Sequence, residues 1–235
     1  YIHETISAQL DARLKEMGVS GYNIENVSQV QDKNGEWRPI DSDKDPTVIL
    51  LHYPSILEDT INYIPPRVKI EISCLSMDEP TELRQIRSLI GESFAGEDTD
   101  ADSFVRTVVP TRTFLEKLFL LAEEFQKEKP RSVRMSRHLY DLEKLMDTKY
   151  GVEALSNREL YDAIVEHRKT YYALKYVNYD LHSPSTISFT IPESAMEAWQ
   201  DDYADMRRFF IYGESLEFDE LMQKMRELQE RVRIM

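Results

Sequence analysis

The stretch that most constrains this chain spans residues 111–127, where Phe and Leu recur so densely that a helix built from it has almost no purely polar side. Such a helix rarely keeps a free solvent face, so the rest of the chain has to pack around it. Yet it carries Lys117, with Phe114 one turn before and Leu120 and Leu121 one turn after. A lysine there must snorkel, pair with an acid or do chemistry. The shorter stretch Arg137-His138-Leu139-Tyr140-Asp141 also sets charge into an interior pattern.

With 235 residues, 41% of them apolar, the chain can bury a real core as one large domain or two small ones. A formal net charge of -14 argues against a wrapped DNA-binding surface, because counterion release needs clustered cations, but it allows one local basic site. The single cysteine, Cys74, excludes an internal disulfide and suits a reducing compartment. No apolar run approaches the roughly 20 residues that span a bilayer, and no signal peptide is visible. The expectation is a soluble, cytoplasmic protein with no membrane partner. The chain opens on Tyr1 inside a helical pattern, so its true start is expected upstream.

The first part reads as mixed α and β. Ile2, Ile6, Leu10, Leu14 and Met17 make one helical stripe that Gly18 can terminate. Asn34-Gly35 between two strand-like runs predicts a hairpin, and residues 47–53 have the continuous apolar character of a buried strand. In 68–74, Val68, Ile70, Ile72 and Cys74 alternate with Lys69, Glu71 and Ser73, and a helix is predicted over 81–90. Residues 91–103 read as an acidic surface loop or domain junction, and beyond them the pattern predicts helices. Thr113 with Glu116 suggests a capping box for a helix to 127, and Ser156 with Glu159 another for a helix to 176. Between them a helix is predicted over 136–149. A short strand is weighed at 186–190, and Pro192 opens a helix to 212 that Gly213 stops. The last helix carries Phe218, Leu221, Met222, Met225, Leu228 and Val232 on one stripe, to pack on the bundle or on a partner. The fold class is therefore α+β, with a sheet-containing part over 1–95 and a helical domain over 96–235.

Three places could carry chemistry. Glu71, between Ile70 and Ile72 on a strand, could hold a carboxylate rigidly for a metal ion or proton transfer, or could stand on a solvated outer face with Lys69 and Ser73. Lys117 could be a cation at a cleft edge for phosphate, or a stem covering apolar surface with help from Glu116 or Glu124. Lys127, Lys129, Arg131, Arg134, Arg137 and His138 concentrate positive charge in an acidic chain, which suits an anion such as a triphosphate, or form a solvated connection between helices. Arg137 and Asp141 are also spaced for an ordinary ion pair along a helix. Asp202, Tyr203 and Tyr212-Gly213 look structural.

Taken in order, Val68-Lys69-Ile70-Glu71-Ile72, Arg112-Thr113-Phe114-Leu115-Glu116-Lys117-Leu118, Ser136-Arg137-His138-Leu139-Tyr140-Asp141-Leu142, Asp202-Tyr203-Ala204-Asp205-Met206 and Phe218-Asp219-Glu220-Leu221-Met222 resemble the AbiEii/AbiGii toxin family of nucleotidyltransferases. The resemblance implies part of a polymerase-β-like mixed sheet followed by a helical domain. It implies a toxin of a toxin-antitoxin or phage-defence system that moves NMP from an NTP to an acceptor hydroxyl, with RNA as an acceptor and an antitoxin as a partner. It also implies Mg2+, with Glu71 as a metal carboxylate, Lys117 and Asp141 as the later catalytic motif, and Arg134, Arg137 and His138 around the nucleotide. The family's Gly-Gly-Ser/Thr turn and Asp-x-Asp strand are not among these 235 residues. They are expected upstream of Tyr1, and this stretch alone is expected to be inactive. A sheet without its first strands would pair with a second copy along its edge or lose stability. The competing expectation is a non-catalytic helical module that binds a partner protein through the acidic loop and the last helix.

Overall fold

The computed structural model describes residues 2–31, 36–40, 46–56, 65–72, 81–97 and 102–235, which fall in two compact units, Tyr1–Ser76 and Met77–Met235. The architecture is α+β, with small antiparallel sheets and a helical C-terminal region. The boundary expected near residue 95 falls within the second unit.

In the first unit, helix α1 (Ile2–Glu16) sets Ile6, Leu10 and Leu14 half-buried. Gly18 ends it with a φ of 73°, which a side chain would resist, and Met17 lies past the helix end, exposed rather than on the stripe. Strands β1 (Asn23–Asn26), β4 (Thr47–His52) and β5 (Arg67–Ile72) make a sheet in the order β1-β4-β5, while β2 (Gln29–Gln31) pairs β3 (Trp37–Pro39). The central β4 buries Val48, Ile49 and Leu50 in succession, as its unbroken apolar run demands. The strands flanking Asn34-Gly35 pair antiparallel, although that turn and Cys74 lie outside the described residues.

The second unit opens with a strand where the sequence pattern predicts a helix. Residues 81–87 are a strand, β6 (Thr81–Arg87), paired antiparallel with β7 (Asp102–Val108), and only α2 (Leu89–Ser93) is helical there. Leu83, Ile86 and Ile90 have helical spacing, but the ladder to a partner some 20 residues later overrides it. The stretch 102–108, expected as loop leading to helix, is that partner. Seven-residue strands on both sides leave Leu83 and Phe104 exposed.

Helix α3 (Pro110–Glu124) begins at Pro110, whose missing N–H suits a first helical turn, and not at a Thr113 capping box; Glu116 is used elsewhere. Phe114, Leu115, Leu118, Phe119 and Leu121 are fully buried, so the predicted lack of a polar side is real. Packed on it are α4 (Arg137–Met146), α5 (Lys149–Ser156) and α6 (Arg158–His167). The single helix expected over 136–149 breaks after Met146 because Thr148 caps α5, accepting from the Gly151 N–H. A Cβ on Gly151 would collide with the Leu145 carbonyl and the Met146 backbone, so this tight corner admits only glycine.

Asn157, not Ser156, caps α6, accepting from the Leu160 N–H at 2.9 Å, while the Ser156 hydroxyl turns back to the Val152 carbonyl at 2.8 Å. The helix stops short of 176: a π-helical turn, Arg168–Tyr172, ends at Ala173 with a φ of 42°. At 186–190 there is no ladder among the described residues. Ile187 and Phe189 are buried, and the Gln229 side chain accepts from the Phe189 N–H and donates to the Ile187 carbonyl, replacing a strand partner. Past Pro192 and a short 3₁₀ turn comes α7 (Met196–Phe209), which ends before the predicted 212. Helix α8 (Phe218–Arg233) buries Phe218, Leu221, Met225, Leu228 and Val232 as its stripe predicts, and Glu217 with Glu220 forms its capping box. No helix among the described residues is long and apolar enough to cross a membrane.

Candidate functional site

Helix α3 carries two neighbouring rows of charge, each repeating after seven residues and hence about two turns. Glu116 and Glu123 form one row, Lys117 and Glu124 the other. The rows meet different partners.

Lys117 Nζ lies 2.6 Å from Asp141 Oδ2 on α4. Lys117 is 22% exposed and Asp141 36%, so the pair sits at an edge that water, or a ligand, can reach. Neither Glu116 nor Glu124 is its partner: Glu116 binds Arg112 and Arg168, and Glu124 binds Lys127 and Arg131. Asp141 pairs with Lys117 rather than with Arg137 one turn before it. Arg137 is exposed and has no ion pair among the described residues.

His138 lies one turn before Asp141 and is buried, with no partner for Nδ1 among the described residues. Burial first, then the charges of Lys117 and Arg137, push its pKa down to about 4 against the opposing pull of Asp141. The imidazole is therefore neutral at physiological pH, which leaves the positive charge of the site to Lys117 and the arginines.

The basic stretch is largely occupied by partners of its own. Glu124 accepts from the Arg131 N–H and both ends of its guanidinium edge, at 2.7–3.1 Å, and from Lys127 at 2.8 Å. Burial alone would raise the Glu124 carboxyl, but these two cations outweigh it and hold it below its usual range. Arg134 has a left-handed φ of 59°, and its N–H donates to the buried Asp202 at 2.5 Å. Beyond Asp141, Lys144 on the same helix joins Arg207 and Arg208 of α7 in an open cleft of about 690 Å³.

The other row of α3 is closed. Arg168, at the start of the π turn, donates to both oxygens of Glu123 at 2.7 and 2.6 Å, also binds Glu116, and stacks its guanidinium 4.7 Å above the Tyr172 ring. Burial would lower its pKa, yet Glu123 and Glu116 outweigh this and hold it above the ordinary arginine value. Sequence reasoning missed this clamp. Its only trace was a pair of glutamates two turns apart on a helix without a polar side, which must find a cation.

Glu71, on β5 in the first unit, is half-exposed and pairs along its strand with Lys69 at 2.7 Å. Among the described residues no group of three His, Cys, Asp or Glu side chains is placed to hold a metal ion. Glu71 alone does not make a magnesium site. The structure thus brings together Lys117 and Asp141, with His138 and Arg137 on the same turn of α4, and it shows Glu71 separately within its own unit.

A family model described as nucleotidyl transferase AbiEii toxin, type IV TA system, matches residues 2–224. No curated protein and no solved structure matches the chain.

Proposed function

This chain belongs to the AbiEii nucleotidyl transferase toxin family of type IV toxin-antitoxin systems, and we propose that Lys117 and Asp141 form the part of its site that holds the triphosphate of an incoming NTP. The observation that carries this reading is the Lys117–Asp141 pair: a cation on an otherwise buried helix, held at an accessible edge by one carboxylate. Asp141 orients the ammonium, Lys117 binds the phosphates, and Arg134 and Arg137 add charge from the turn beside them. His138 stays neutral and so does not compete with them for the anion.

The reaction joins an acceptor hydroxyl oxygen to the α-phosphorus, breaks the bond from that phosphorus to the bridging oxygen, and releases pyrophosphate and a proton. Lys117 and the arginines stabilise the charge that gathers on the phosphates as that bond breaks. RNA is the acceptor in this reading, an antitoxin the cognate partner, and the cytoplasm the setting. Magnesium would supply further neutralisation of the phosphates when bound. The described residues do not gather a site for it. The rival reading, a protein-binding module docking through the acidic loop and the last helix, is less well supported at the helix, because α8 buries its apolar stripe in its own bundle, and residues 98–101 of the loop lie outside the described residues.

The test is Lys117→Ala in the natural full-length protein, assayed for NMP transfer to RNA and for fold by circular dichroism. Removing one charge-assisted contact in such a site lowers the rate by about 10²–10³-fold. A folded variant that transfers NMP at the wild-type rate overturns the assignment.

A further inference from the structure

The carboxylate of Asp202 is buried on α7 and sits far along the chain from the three donors it accepts. The Arg134 N–H binds Oδ1 at 2.5 Å, while the Ser136 N–H at 3.0 Å and the Ser136 hydroxyl at 2.5 Å bind Oδ2. All three come from one segment, 134–136, and Ser136 is itself fully buried. Between them the Met135 N–H turns back to the Ser132 carbonyl at 2.8 Å, so the segment is a tight turn whose outer amides converge on one acidic group.

Two features of this turn are costly for a segment that only needs to begin a helix. Arg134 takes a left-handed φ of 59°, where a side chain is disfavoured, and no glycine relieves it. Ser136, placed where a hydroxyl commonly caps a helix, makes no cap of its own to α4 and donates to Asp202 instead. The carboxylate from α7 thus stands at the N-terminus of α4, where negative charge is favourable.

The helix that this turn opens gives it a purpose. The first turn of α4 carries Arg137 and His138, and the next presents Asp141 to Lys117. Where α4 starts, and how it is rotated, decides whether Arg134, Arg137 and Asp141 face one ligand together. Helix α7 is itself anchored: the Tyr203 hydroxyl donates to the Leu216 carbonyl at 2.9 Å, and Arg207 binds Glu217 and the Ser215 hydroxyl. A fixed helix therefore fixes the turn.

We propose that Asp202 is a positioning residue for the nucleotide: by gripping the amides of Arg134 and Ser136 and the Ser136 hydroxyl, it holds the left-handed turn and the start of α4 so that both arginines meet the phosphates in register with Lys117. The proposal rests on the nucleotide reading above and adds a residue that touches no ligand.

The experiment measures ATP, GTP, CTP and UTP binding, with magnesium chloride, to the protein and to Asp202→Asn, Ser136→Ala and Val232→Ala by calorimetry at a temperature where all are folded. Asparagine keeps the shape of Asp202 but turns an NH₂ toward one of the donors. Asp202→Asn weakens binding of the preferred NTP by about tenfold and Ser136→Ala by about threefold. Val232→Ala loosens the bundle elsewhere and leaves affinity unchanged, so an affinity loss confined to Asp202→Asn and Ser136→Ala is not general destabilisation. In turnover, Asp202→Asn raises KM more than it lowers kcat, whereas Lys117→Ala lowers kcat. If Asp202→Asn does not fold, Ser136→Ala decides, since it removes one hydroxyl donor and leaves both amides. Wild-type affinity in Asp202→Asn and Ser136→Ala overturns the positioning role alone. A wild-type protein that binds none of the four NTPs overturns the nucleotide reading and this inference with it.

Discussion

Two ion pairs on one helix, one residue apart in sequence, do opposite things. Glu123 closes around Arg168 in the dry interior, with both its oxygens used and a tyrosine ring over the cation, while the half-buried Glu116 binds the same arginine from the rim. Lys117 reaches Asp141 at an edge that solvent touches. The closed pair locks α3 to the end of α6 and has nothing left to offer a ligand. The open pair holds its ammonium in place without consuming it. A charge on an apolar helix is therefore informative only once its partners and exposure are known.

The largest effect should come from breaking the closed pair. Arg168→Ala leaves the buried Glu123 without its cation, while Glu116 keeps Arg112, and loss of one partner from a buried pair costs about 3–5 kcal/mol. Urea unfolding of the variant against wild type measures it. A loss below about 1 kcal/mol would mean water already reaches Glu123, and the contrast between the two rows would collapse.

The open pair should behave in the reverse way. Lys117→Ala and Asp141→Ala each lower NMP transfer by about 2–4 kcal/mol of transition-state stabilisation. Because both side chains are partly exposed, their loss removes only about 0–1 kcal/mol from folding. Parallel activity and unfolding curves separate the two quantities; a stability loss as large as that of Arg168→Ala would make Lys117 a second structural clamp.

How much of this contrast was legible beforehand differs between its halves. The open pair showed as an anomaly, since a lysine flanked by Phe114 and Leu121 has few bland explanations. The buried run of β4 and the stripe of α8 were likewise visible, because local periodicity reports which face is dry, whereas in β5 only Ile70 and Ile72 are half-buried and Val68 is exposed. The features that stayed hidden depended on distant partners. Strand β6 has helix-like spacing until β7 pairs with it, and the Gln229 amide replaces a strand across 40 residues. No local pattern tells which of several arginines will meet Glu123, or that Asp202 caps a turn 66 residues earlier. Capping signals misled for a related reason: Ser156 and Asn157 compete for one helix start, and only the backbone decides between them.

His138 sharpens the comparison through pH. Its pKa is near 4 in the folded protein and about 6.5 when unfolded, so between these values the unfolded chain binds the extra proton. Stability is fully present above about pH 6.5 and falls as pH drops toward 4, by about 1–3 kcal/mol. Replacing His138 with Gln should flatten that slope. Unchanged acid sensitivity in the variant would show that the imidazole beneath the open pair is hydrated and not the source.

The smallest effect belongs to the third pair, Lys69–Glu71, which lies on a strand with both side chains about half exposed. Solvent screens such a pair, so Glu71→Gln should change the unfolding free energy by no more than about 0.5 kcal/mol. That near-silence makes it a clean probe of function, because any catalytic change cannot be blamed on the fold. Titrating NMP transfer against magnesium in this variant then decides its role. A raised magnesium requirement would assign Glu71 to the metal and move it into the class of Lys117–Asp141, accessible and held for a ligand. An unchanged requirement leaves it a surface ion pair, with the electrostatics of the site carried by Lys117, Asp141 and the arginines at the start of α4.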